Sequence, residues 1–318
     1  VKKGDVIALK DSSRDSEKFK SLLELMEKRG DILVASADTY RSFALGPIVT
    51  KYADRYFEFG IAEQNMLTAS AAMASDGYTV FCVGYSPFLS MRALEQIRTF
   101  CAYTKQHVII VSGLSGLSGD TDGVTHQGTE DIAIVRSIPN LSVLCPADAV
   151  AAKAFAGIAA ELEGPVYLRL GRGATPVIYP EDQEFTFGKA IRFREYGKDA
   201  VLISAGPCVG ECAIAADRLL AQGIRCTVID MHTIKPLDEE TLLDVCCGAQ
   251  AVITVEDGTI YGGLGGAVAE TLLEQGTAPE KFKRMGMTGF GTTGRLPELL
   301  HHFGLDADAI EAGVKGLL

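Results

Sequence analysis

Apolar positions along this chain recur at two spacings. In residues 16–28, Phe19, Leu22, Leu23 and Met26 fall three and four apart, which predicts an amphipathic helix. Residues 32–35 are a short apolar run and predict a buried strand. Similar runs at 79–83, 107–112, 141–144 and 166–170 predict further strands. Between them, residues 62–74, 87–102 and 147–160 carry helical patterns, the first rich in small residues suited to close packing. Strands alternating with helices predict an α/β fold with parallel strands. Residues 179–184 (Tyr-Pro-Glu-Asp-Gln-Glu) are polar and acidic and read as a linker. Beyond it, strand patterns at 200–204, 226–230 and 251–255 alternate with helical patterns at 210–220, 238–246 and 263–273. The expectation is two three-layer α/β domains, residues 1–190 and 191–318.

Composition narrows the function classes. A length of 318 residues is ample for two cores, and 47% hydrophobic with 22% charged residues is ordinary for a soluble globular protein. A net charge of −11 argues against nucleic acid as a partner. It does not oppose anionic substrates, because a few arginines can dominate a cleft. No apolar run is long enough to cross a bilayer and Val1–Asp5 shows no signal peptide, so no membrane partner and a cytoplasmic location are expected. The eight cysteines show neither a zinc spacing nor a disulfide framework, and buried reduced thiols are expected.

Glu63 is the first candidate for chemistry. A strand-like run, 54–59, ends at Gly60 and passes into a helix, a geometry that aims the first helical side chains at a cleft. Among Ile61, Met66 and Phe88 a carboxylate would be poorly solvated and inclined to share a proton. That suits a group that hydrogen-bonds a nitrogen heterocycle; it also suits a first-turn acid complementing the helix dipole. Asp122 and His126 lie on a loop with glycines at 113, 116, 119 and 123, where backbone can approach a ligand closely. His107, His232, His301 and His302 lack such a setting and read as structural or surface residues. The glycine cluster 262–266 opens a helix and could cradle phosphate, but it lacks the Gly-x-x-x-x-Gly-Lys spacing, so close packing is expected.

Several motifs occur in one order along the chain. Ala35-Ser36-Ala37-Asp38 with Ser42 comes first, then Phe59-Gly60-Ile61-Ala62-Glu63-Gln64-Asn65-Met66 and Ser86-Pro87-Phe88-Leu89 leading into Arg92–Arg98. Asp122-Gly123-Val124-Thr125-His126-Gln127-Gly128, Ile138-Pro139-Asn140, Cys145-Pro146-Ala147-Asp148 and Arg169-Leu170-Gly171-Arg172 follow. Together they resemble the C-terminal half of transketolase, as found where two genes share the enzyme. The resemblance implies a pyrimidine-binding thiamine-diphosphate fold followed by a transketolase C-terminal domain whose role is mostly structural. It implies a ketol transfer in which thiamine diphosphate is the electron sink. Glu63 matches the glutamate that hydrogen-bonds the cofactor's aminopyrimidine. Phe88 matches an aromatic of the pyrimidine seat, and Met91 stands where the family has a second one. Asp38 matches an aspartate near the thiazolium end. Asp122 and His126 match groups facing the substrate channel. Arg172 matches the arginine for the substrate's phosphate, with Arg14 and Ser42 as further contacts.

The other half of such a site is missing. No Gly-Asp-Gly with a later Asn is present, so no metal ligands are assigned to this chain. The resemblance implies an N-terminal transketolase subunit that carries diphosphate and Mg2+ or Ca2+, a heterotetramer, and near inactivity of this chain alone. Three positions depart from the family: Leu114 stands for a substrate-contacting His, Gly258 follows Glu256-Asp257 where a His often stands, and Asp120-Thr121 replace Gly-Glu. A non-standard sugar phosphate, or a sugar with another anionic end, fits these changes. Tyr85–Leu89 and Thr125–Gly128 also resemble 1-deoxyxylulose-5-phosphate synthase. That enzyme, a 2-oxo-acid dehydrogenase β subunit and a non-catalytic regulatory subunit are the alternatives.

Overall fold

The computed structural model describes residues 10–13, 20–172 and 175–318. Its strands are β1 (Lys10–Ser13), β2 (Ile32–Ser36), β3 (Tyr56–Glu58), β4 (Thr79–Tyr85), β5 (Val108–Gly113), β6 (Ser142–Leu144) and β7 (Val166–Arg169). They continue with β8 (Thr175–Val177), β9 (Ile191–Glu195), β10 (Ala200–Ser204), β11 (Cys226–Asp230), β12 (Thr233–Lys235), β13 (Ala251–Thr259) and β14 (Lys281–Met287). The helices used below are α1 (Lys20–Lys28), α2 (Glu63–Ser75), α3 (Ala149–Glu161), α4 (Cys208–Leu220), α5 (Leu264–Glu274) and α6 (Leu296–His302).

A seven-stranded sheet runs β12-β6-β7-β5-β4-β2-β3, parallel except at β12. A five-stranded sheet runs β14-β13-β10-β11-β9, parallel except at β9. Central strands are covered on both faces, which is why they read as unbroken apolar runs. In β2, Ile32 and Val34 enter one core while Leu33 and Ala35 enter the other. Both cores continue from the first sheet to the second. The two units also share a sheet: β12, from the second half of the chain, forms the edge of the first sheet beside β6.

Several predicted elements need correction. Residues 87–102 are not one regular helix. They form π-helical turns at Phe88–Arg92 and Ile97–Ala102 with a short α turn between. Pro87 has no N–H to give, the Ser90 hydroxyl donates to the Ser86 carbonyl, and Ala93 N reaches back five residues to Phe88 O. The widened turn leaves Met91 exposed while Leu89 and Ser90 stay buried. The helix expected over 16–28 is described from Lys20. The expected linker begins as an anchored segment, for Ile178 N and Tyr179 N both donate to Asp148 Oδ2 and the Tyr179 hydroxyl donates to Asp230 Oδ2 at 2.6 Å. The glycine cluster is a packing device, as expected. Glu256 accepts from Leu264 N and Gly265 N at 2.8 and 2.9 Å, so an internal carboxylate already fills the N-terminus of α5. A Cβ on Gly263 would stand 2.1 Å from Glu256 Oε2, which excludes any larger residue there.

A buried guanidinium joins the two units. Arg169 Nε contacts Asp131 at 3.0 and 2.9 Å, and its Nη1 donates to Asp257 Oδ1 of β13 at 2.8 Å. All three residues are buried. Asp131 Oδ2 also accepts from Ser86 Oγ at 2.9 Å, at the base of the segment that carries Phe88. Burial holds the Asp257 carboxyl above its ordinary range even though Arg169 opposes the shift. All eight cysteines are free and all but Cys247 are buried, which agrees with the reading of the sequence. Among the described residues no helix is long and apolar enough to cross a membrane, and no cluster of three or more His, Cys, Asp or Glu could hold a metal ion.

Replacing Arg169 with Met should lower stability by about 3–5 kcal/mol, because two buried aspartates lose their shared cation; chemical denaturation measures it. A pH effect is also expected. Burial pushes Asp230 up to about 7, and Glu256 likewise to about 7. Each binds its proton more tightly folded than unfolded. Their contribution is therefore full below about pH 4 and is lost as pH rises through about 7. Asp230→Asn should remove its share of that decline, giving a flatter melting temperature between about pH 4 and 7 than the wild type. An unchanged profile would exclude Asp230 as a source.

Candidate active site

The carboxyl ends of five parallel strands converge on one edge of the first sheet, where open α/β sheets place ligands. Asp38 follows β2, Gly60 to Glu63 follow β3, Phe88 and Met91 follow β4, residues 114–126 follow β5, and Arg172 follows β7. The sequence-predicted residues therefore gather because their strands are neighbours. Arg14 lies outside the described residues.

Glu63 opens α2 and is 3% exposed. Gly60 takes φ +66°, the left-handed turn that sends the chain from β3 into the helix. Glu58 braces that turn: its Oε1 accepts from Gly60 N at 2.9 Å and from Asp38 N at 2.7 Å. Asp38 itself is exposed, with φ +56°. The partner of Glu63 is Arg92, whose Nη1 lies 2.9 Å from Oε2. The same guanidinium stands 4.2 Å from the centre of the Phe88 ring. An ion pair thus spans the carboxylate and the aromatic that the sequence assigned to one ligand.

Beside it, Phe88 and Tyr85 approach the His126 ring at 5.3 and 5.7 Å between centroids, both edge-on. The Tyr85 hydroxyl donates to Ser42 Oγ at 2.6 Å, which ties Ser42 to the same wall. A cleft of about 390 Å³ opens here, lined by Phe88, Met91, Arg92, Val124, Gln127 and Phe290. Its size is in the range of small-molecule sites. It combines an apolar surface with a few charged groups.

Asp122 and Arg172 meet each other in an ion pair, each 38% exposed. Arg172 N also donates to Ser118 Oγ at 3.1 Å. A half-exposed guanidinium ion-paired to one carboxylate keeps donors for an anion, and its planar fork suits phosphate. Asp120 sits at a kink, φ +57°, and burial raises its pKa against the pull of Arg172 and Arg295.

Leu114 requires a correction. It is 2% exposed, with φ +56°, and belongs to the core cluster that holds Phe43 and Leu117 rather than to the open cleft. Its backbone bends the chain out of β5, and its side chain is spent on packing. Gly258 likewise lies against Thr129 O, 3.0 Å from where its Cβ would be. The second unit also does more than the structural role expected of it, since Phe290 and Gly291 line the cleft.

Sequence reasoning missed Arg92, Glu58, Tyr85, Gln127 and Phe290. Arg92 sits one widened turn after Phe88, but that turn is not encoded in any helical spacing. Phe290 is 76% exposed in a Gly-Phe-Gly loop, and an exposed aromatic between glycines was the available signal.

The profile of the transketolase pyrimidine-binding domain matches residues 19–177, and that of the transketolase C-terminal domain matches residues 188–310. A transketolase C-terminal section proposed for Methanocaldococcus jannaschii is 40% identical over 293 residues, 91% of each chain. The 6-deoxy-6-sulfo-D-fructose transketolase subunit SqwH of Clostridium sp. is 36% identical, over 91% of this chain and 89% of its own length. A split-gene transketolase solved as an inactive β4 tetramer superposes with a TM-score of 0.86 at 34% identity, covering 96% of this chain and 98% of that one. The chain belongs to the transketolase family and comprises its pyrimidine-binding and C-terminal domains, the portion that split-gene relatives make as a separate subunit.

Proposed function

We propose that this chain is the pyrimidine-side subunit of a two-subunit, thiamine-diphosphate-dependent transketolase that moves a two-carbon ketol unit from a ketose phosphate to an aldose. The observation that carries the reading is Glu63, a nearly fully buried carboxylate at a helix start, beside an apolar cleft lined by Phe88 and Met91.

The residues present fit the cofactor's pyrimidine end. Glu63, which Arg92 also contacts, would be the acceptor and proton partner for a ring nitrogen, and Phe88 and Met91 would offer an aromatic face and a polarisable thioether to its plane. Asp38 would stand near the thiazolium end. When bound, thiamine diphosphate supplies an electron sink for the two-carbon unit. His126, held edge-on by Phe88 and Tyr85, hydrogen-bonds sugar hydroxyls and moves a proton at the reacting oxygen. Asp122 orients a second hydroxyl, and Arg172 with Ser42 holds the anionic terminus. Arg14 is a further candidate for that terminus.

The diphosphate and its Mg2+ or Ca2+ belong to an N-terminal-type subunit, and the assembly is a heterotetramer of two such pairs. The matched domain profiles, which end at 177 and resume at 188, support a boundary near residue 190. The names of relatives acting on 6-deoxy-6-sulfo-D-fructose and apulose 4-phosphate support a donor with an anionic end, either phosphate or another acid group.

Glu63→Gln, in a complex with the partner subunit, thiamine diphosphate and magnesium, should lose about 10²–10⁴-fold in turnover while the subunit keeps its circular dichroism spectrum. An unaffected rate would sink the assignment. Arg172→Met should raise KM for a ketose phosphate about 10- to 100-fold, the worth of a charged hydrogen bond, and leave KM for a neutral ketose unchanged. Equal loss on both donors would place the anion elsewhere.

A further inference from the structure

The turn that carries His126 is short and glycine-flanked. Val124–His126 is a single 3-10 turn, entered at Gly123 with φ +77° and left at Gln127 in extended conformation. Such a turn has little stiffness of its own, because glycine at its hinge samples many conformations. Yet a group that transfers protons must be held within about an ångström of its working position.

Both ends of this turn meet the same stretch of the second domain. At its exit, the Gln127 side chain is buried and donates from Nε2 to the Thr292 carbonyl at 2.8 Å. Gly291 lies directly against it, since a Cβ there would stand 2.1 Å from Gln127 Oε1. At its entry, a Cβ on Gly123 would stand 2.8 Å from Thr293 Oγ1. The interior of the loop is equally tight: a Cβ on Gly119 would meet His126 O at 2.6 Å. Behind the clasp, α6 packs on the 116–122 segment that leads into the turn. Phe290, next in the chain, lines the cleft itself.

We propose that Gly291, Thr292 and Thr293 of the second domain clasp the 123–127 turn through Gln127, and that Gln127 is thereby a positioning residue for His126. The inference rests on the reading of His126 as a substrate-contacting group. It gives the second domain a part in the reaction: besides lining the cleft through Phe290 and Gly291, the domain sets the position of the His126 ring. Gln127 lies outside the ion pair of Asp122 and Arg172, so binding of the anionic end should not depend on it.

Two variants separate positioning from folding. Gln127→Met keeps the volume and removes the donor to Thr292. Gly291→Ala keeps the donor and forces the clasp apart. In the chain alone, 13C-labelled histidine gives five signals, one per histidine, with His126 identified through His126→Asn. The His126 signal should shift or broaden in both variants while the other four hold their positions. An unmoved His126 signal overturns the proposal. In the two-subunit complex, Gln127→Met should lower kcat about 10- to 100-fold and leave KM for the ketose phosphate within about two-fold. The double variant with His126→Ala should be no slower than His126→Ala alone, because both act through one group. Losses that multiply overturn the proposal and leave Gln127 a packing residue. If His126→Ala turns over at the wild-type rate, the role given to His126 above fails instead, and the histidine signals still report whether the clasp holds the turn.

Discussion

The buried Arg169 guanidinium is the interaction on which the candidate site depends. One cation at the end of β7 holds Asp131 from the first domain and Asp257 from the second. Asp131 in turn holds Ser86, so the position of the Phe88 segment follows from it. The glycine-rich loop wraps the same ion cluster: a Cβ on Gly116 would stand 2.1 Å from Asp257 Oδ2. A buried ion pair of this kind adds little net stability, since desolvation offsets most of the attraction. What it supplies is register. Each carboxylate must meet the cation or remain as an uncompensated buried charge, so alternative dockings of the two domains are strongly disfavoured.

That register is what a site spread over five strand ends requires. Glu63, Phe88, His126 and Arg172 sit on separate connections, and each is placed by a local device: the Glu58-braced turn, the widened turn after Pro87, the glycine loop, and the end of β7. The apolar sheet beneath supplies rigidity, and the ion cluster fixes the second domain as a lid on the loop side. Arg92 and Arg172 are each ion-paired to a carboxylate, Glu63 and Asp122, so an incoming ligand meets guanidiniums already held in place.

Much of this was legible in the sequence. Buried parallel strands announce themselves as apolar runs, so β2, β4, β5, β7, β10 and β11 were readable, and the order of motifs identified the family. The edge strands β9, β12 and β14 were missed, since a strand paired on one side needs no continuous apolar run. The widened turn after Pro87 was missed because five-residue hydrogen bonds have no hydrophobic period. Leu114 was misplaced for a related reason. A position can be counted along a motif, but a left-handed backbone decides which way its side chain points.

The sequence by itself determined the α/β class, the two units and the family, because periodicity, residue type and the order of motifs are read along the chain. The tertiary structure alone decided that Arg92 stands between Glu63 and Phe88, that Asp122 spends its charge on Arg172, and that Gln127 reaches across to Thr292. Apart from Arg92 over Phe88, which share one widened turn, those are contacts between segments distant in the chain. Their existence depends on how the strands are ordered and how the domains dock, and no local pattern carries that information.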